Sequence, residues 1–121
     1  MLESKMIKII LDSAKKIEGL RLIKIHGGQF SAGQPDISGC YYGKRIELEC
    51  KIAPNKPTKL QAENLKLWHI SGAFCAVITY DESQPLVFTV SPLEDSDFRI
   101  FRIGKTKVDL HNLIEGIKNY V

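Results

Sequence analysis

A chain of 121 residues with 44% hydrophobic and 26% charged side chains is sized for one domain, residues 1–121, around a single core. A net charge of +3 permits a nucleic-acid partner without requiring one. No run approaches the roughly 18 apolar residues of a membrane span, and Cys40, Cys50 and Cys75 form neither a CxxC pair nor a cluster with histidine, which argues against a disulfide framework and a zinc site. Met1-Leu2-Glu3 does not open like a secretory leader, so a cytoplasmic protein in a reducing compartment, without a membrane partner, is expected.

Ile7, Ile10, Ala14 and Ile17 recur at helical spacing and predict a helix over Leu2–Ile17, closed by Gly19. Stepping that stripe back one turn lands on Glu3. Leu20–His26 reads as a strand, followed by a loop containing Gly27, Gly28 and Gly33. After the prolines at 54 and 57, Thr58 opens a helix running to about Gly72, with Gln61 at capping-box spacing. Phe74–Tyr80 and Leu86–Val90 read as strands, Phe98–Ile103 as a weaker one, and Asp109–Tyr120 as a closing helix. The order predicts an α/β fold: a mixed β-sheet flanked by α-helices.

Between these elements, Gly33–Lys51 reads as a β-hairpin broken at Gly43. Its return arm alternates, with Ile46, Leu48, Cys50 and Ile52 on one face and Glu47, Glu49 and Lys51 on the other. A loop with an even number of residues, centred between Tyr42 and Gly43, would place Asp36 directly across from Glu49. Two facing carboxylates repel, and a cation between them reverses the sign. An odd loop would offset the pair.

The order of Glu3 on the first helix, Gly33 before Pro35-Asp36, Glu49-Cys50-Lys51 on a strand and Gln61 on the next helix resembles the PD-(D/E)XK nuclease superfamily. More narrowly it is similar to the VRR-NUC (virus-type replication and repair nuclease) domains, in their small stand-alone phage and bacterial forms. The resemblance covers about residues 2–80 and implies a restriction-endonuclease-like α-β-β-β-α-β core, with residues 91–121 as an extension of the same domain. It implies a site in which Asp36, Glu49, the backbone carbonyl of Cys50 and Glu3 hold Mg²⁺ or Mn²⁺. Lys51 acts there on the attacking water, and Gln61 supports it. Hard oxygen ligands suit such ions, and phosphodiester hydrolysis needs the charge neutralisation and activated water they provide.

Each residue also has a plainer reading. Alternating charges on a strand can mark a solvated face. Glu47 competes with Glu49 as the metal-binding glutamate, Gln61 is accounted for by the capping box, and Glu3 suits the helix dipole. His26, His69 and His111 are scattered, and Trp68 reads as core. Lys44, Arg45, Lys56, Lys59 and Lys66 surround the site as candidate DNA-backbone contacts.

The function expected from the resemblance is a divalent-metal-dependent, structure-selective DNA endonuclease, a homodimeric Holliday-junction resolvase acting on branched or four-way DNA and serving DNA repair. The alternatives are a less selective endonuclease or nickase, a non-catalytic DNA-binding protein that retains the fold, and an unrelated α/β binding protein. Phe98, Ile100, Phe101 and Ile103 fit a dimer surface, an added sheet edge or core.

Overall fold

The computed structural model describes residues 1–25 and 32–120. The expectations attached to His26, Gly27 and Gly28 lie outside them. Three helices, α1 (Glu3–Ala14), α2 (Lys59–Ile70) and α3 (His111–Asn119), flank a sheet of seven strands. The strands are β1 (Leu20–Lys24), β2 (Ile37–Tyr41), β3 (Lys44–Ile52), β4 (Phe74–Tyr80), β5 (Val87–Pro92), β6 (Phe98–Ile103) and β7 (Lys107–Asp109). They lie in chain order across the sheet. Every pairing is antiparallel except β3 with β4, which run parallel because α2 crosses over between them. This is the expected mixed α/β architecture.

The sheet curls, so that both edge strands, β1 and β7, pack against α1. Ser13 on α1 accepts the N–H of Val108 on β7 at 3.0 Å. Inside the curl, Met6, Ile10, Ile37, Ile46, Leu48, Ile78, Phe88, Ile100, Leu113 and Ile117 form a fully buried core. The opposite face carries α2, which packs on β3 and β4. Among the described residues no helix is long and apolar enough to cross a membrane.

Several boundaries move. α1 stops at Ala14, and Ile17 joins the core from the turn beyond it. β5 runs two residues past Val90, and Lys107–Asp109, expected as loop and helix start, forms β7. That strand leaves β6 inside the sheet rather than at an edge. The apolar run of β6 divides between its faces: Ile100 is buried, whereas Phe101 and Ile103 are more than half exposed.

Candidate metal-dependent hydrolytic site

A two-residue turn sets the geometry. Tyr41 pairs with Lys44, and Tyr42 and Gly43 between them have φ of 44° and 83°, the type I′ turn that matches strand twist. The last ladder pair is Ile37 with Leu48, so continuing the register sets Asp36 against Glu49, as the even-loop reading requires. Asp36 is held at both ends: its carbonyl accepts from Ile25 N at 2.9 Å, and its Oδ2 accepts from Cys50 N at 2.9 Å. A strand residue turns its N–H and C=O to the same side, so the Cys50 carbonyl faces the β2 flank where the Asp36 carboxylate lies. The approach to Asp36 is pinned by α2: Asn64 donates to Gly33 O at 2.9 Å and Trp68 to Gln34 Oε1 at 3.4 Å. Gly33 has φ of +77°, and a Cβ there would lie 2.4 Å from Leu60, so no larger residue fits.

The charged face of β3 is buried. Glu47 and Glu49 are inaccessible and Lys51 is 8% exposed, which rules out the solvated-face reading. The two glutamates differ in their partners. Glu47 accepts from Ser38 Oγ and, at 2.8 Å, from Arg45 Nε, and the Arg45 guanidinium stacks 4.6 Å from the Trp68 ring. Among the described residues, neither of the buried Glu49 oxygens has a hydrogen-bond donor. A buried carboxylate left this way is costly, and burial, reinforced by the neighbouring Asp36 carboxylate, pushes Glu49 up to about 9. Lys51 pulls the other way and the charge of Glu3 adds to the rise, so both lie within electrostatic reach.

Thus Asp36, Glu49 and Lys51 converge, with half-buried Glu3 nearby. Among the described residues no three His, Cys, Asp or Glu side chains form a metal cluster. The groups that could hold a cation are the facing carboxylates of Asp36 and Glu49 and the Cys50 main-chain carbonyl, with Glu3 contributing charge. The donor set fits Mg²⁺ or Mn²⁺, hard ions that bind one or two carboxylates and complete their shell with water and phosphate. The orphaned Glu49 oxygens are the feature such an ion satisfies.

Gln61 forms both halves of the capping box: its Oε1 accepts from Thr58 N at 2.9 Å and its N–H donates to Thr58 Oγ1 at 3.2 Å. Of the candidate phosphate contacts, Lys56 is exposed in the loop after β3, Lys59 and Lys66 are exposed on α2, and Arg45 shares the site's sheet face. Lys44 is placed elsewhere, on the core face at the turn, donating to the Ile117 and Tyr120 carbonyls at the end of α3. Reading the sequence missed Arg21. The register pairs Cys40 with both Arg21 and Arg45, and the two arginines line a cavity of about 180 Å³ with Ile23 and Ser38. Exposed Arg21 between apolar Leu20 and Leu22 was the available signal.

The crossover through α2 and the hairpin thus bring an acidic pair and a lysine together where β2 and β3 meet, on a mixed sheet flanked by helices. The chain is similar in structure to Archaeoglobus fulgidus Hjc, a Holliday junction resolvase from an archaeal hyperthermophile, with a TM-score of 0.54 and 19% identity, over 83% of this chain and 86% of that one. No protein-family model matches the chain, and no curated protein matches it in sequence.

Proposed function

We propose that this protein is a divalent-metal-dependent DNA endonuclease selective for branched DNA, a resolvase-like enzyme of the VRR-NUC type that works as a homodimer. The observation that carries the reading is the buried, donor-less Glu49 carboxylate set against Asp36 with Lys51 beside it. Nothing in a purely structural role compensates that arrangement, whereas a phosphodiester hydrolase uses each part. The similarity in fold to a Holliday junction resolvase supports the substrate class.

Asp36, Glu49 and the Cys50 carbonyl would hold Mg²⁺ or Mn²⁺. When bound, the ion supplies charge neutralisation at the scissile phosphate and an acidified water. Glu49 would hold the ion as a carboxylate, its proton released to solvent. The Lys51 ammonium orients the attacking water and offsets the negative charge that builds on the phosphate oxygens. Arg45 is fixed by Glu47 and Trp68, and it offers its remaining N–H groups with Arg21 to a neighbouring phosphate. Pairing two such sites across a twofold axis matches the symmetry of a four-way junction.

The test is cleavage of a labelled four-way junction beside a linear duplex, in Mg²⁺ or Mn²⁺, with Lys51→Ala as control. Paired, metal-dependent cuts in the junction that vanish in the variant are expected. Equal cutting of both substrates overturns the structure selectivity, and no cutting with either ion overturns the nuclease.

A further inference from the structure

The sheet face that carries the catalytic row continues past it. Parallel pairing sets Thr79 beside Lys51, and antiparallel pairing sets Thr89 beside Thr79 and Ser91 beside Val77. Paired residues share a face and adjacent strands are about 5 Å apart, so Thr79 lies one strand and Thr89 two strands from Lys51. They floor a groove of about 480 Å³, walled on one side by the Ala53–Pro57 loop and rimmed by Asn55, Asp81 and Asp97.

The lining chemistry selects an occupant. Lys56 is the single basic residue among the lining side chains, against the two carboxylates of Asp81 and Asp97. The groove therefore attracts a phosphate backbone less than the arginine-lined cavity on the other flank, and leaves Lys56 at its edge for a phosphate. One Asp81 oxygen accepts from the Ser83 N–H and hydroxyl, which fixes the carboxylate and leaves its second oxygen for another donor. Hydroxyls, the side-chain amides of Asn55 and Gln84, and two carboxylates, that of Asp81 held in place, together suit a flat group bearing ring nitrogens and amino hydrogens, since carboxylates accept from base amino groups.

We propose that the groove receives the unstacked base of a nucleotide adjoining the scissile phosphate. This rests on the nuclease reading and adds a source of branch selectivity within each protomer. Strand exchange interrupts continuous stacking at a branch point, so extruding a base there costs less than from continuous duplex. The site then engages DNA where stacking is interrupted, and the dimer adds only the pairing of cuts.

The experiment places 2-aminopurine on either side of the cleaved phosphate in a four-way junction, held uncut by the Lys51→Ala protein, with binding followed by anisotropy. A rise in fluorescence at one of these positions is expected, because the base leaves the stack. In otherwise wild-type protein, Thr89→Phe fills the groove, and the preference for junction over linear duplex should fall by about tenfold or more, while metal-dependent cutting of a junction abasic at that position persists. Asp97→Leu, on the exposed rim, repeats the test without entering the sheet and should weaken the preference in the same direction. Wild-type protein that cuts junctions while bound DNA shows no 2-aminopurine response overturns the groove alone, as do variants that keep full branch preference. Wild-type protein that cuts no DNA overturns the nuclease reading and the groove with it.

Discussion

Metal binding should expel a proton, and Glu49 sets how many. With its carboxyl pushed up to about 9, Glu49 is predominantly protonated in the metal-free protein at neutral pH. An ion bound through that carboxylate must displace the proton. Titrating Mn²⁺ into the protein at about pH 7 should therefore release close to one proton per ion, and the apparent Kd should tighten about tenfold per pH unit up to about pH 9. Calorimetry in two buffers of different ionisation enthalpy gives the proton count directly. Glu49→Gln removes both the proton release and most of the affinity. A Kd that is flat between about pH 6 and 8, with no buffer-dependent heat, would refute the reasoning, because Glu49 would then be ionised before the metal arrives or would not touch it.

The same residue gives metal-free protein an unusual stability profile. An unfolded glutamate loses its proton near 4.5, whereas folded Glu49 keeps it to about 9, so between those values the folded state binds more protons. Stability should fall as pH rises through that window, and Glu49→Gln should flatten the slope in denaturant melts. Glu47→Gln should keep activity within about tenfold of wild type while Glu49→Gln loses at least about 100-fold, since of the two glutamates only Glu49 is proposed as a ligand; single-turnover cleavage separates them. Leu48→Ala, emptying a fully buried position on the core side of the same strand, should cost about 2–5 kcal/mol in urea unfolding. Gly39→Ala would set a Cβ 1.8 Å from the Arg21 carbonyl oxygen, forcing β1 from β2; a loss of about 1–3 kcal/mol is expected by the same measurement.

The hairpin was readable because its signals are local. Strict alternation along β3 fixes the face and a glycine at the turn narrows the register to an even or an odd loop; the two-residue Tyr42-Gly43 turn decides for the even one, which sets Asp36 opposite Glu49. What that face packs against was not readable. Burial of Glu47, Glu49 and Lys51 depends on α2 returning over β3 and β4, a tertiary event that leaves the charges on the strand looking like a solvated row. The competition between Glu47 and Glu49 was open for the same reason, since it is decided by Ser38 and Arg45 across and along the ladder. β7 escaped because three residues with one buried apolar side chain carry no periodicity. Lys44 and Arg45 look equivalent in sequence, yet adjacent strand positions point to opposite faces, one toward α3 and one toward the site.

Charge balance along β3 explains why one glutamate is structural and its neighbour is free to bind. Arg45 and Glu47 neutralise each other, and Ser38 completes the carboxylate's hydrogen bonding, so that pair is closed. Two residues further on, Glu49, Asp36 and Glu3 set three carboxylates against the single ammonium of Lys51 that acts on Glu49 among the described residues. With all of them ionised the site carries two uncompensated negative charges in a buried setting. Protonating Glu49 removes one of these and is the response open to the metal-free protein. A divalent cation removes both and satisfies the two orphaned oxygens as well. The charge count of the site therefore predicts a preference for a doubly charged ion. A monovalent ion would leave one charge over, and adding a second lysine, as in Glu3→Lys, should weaken Mn²⁺ binding by offering the carboxylates an internal substitute.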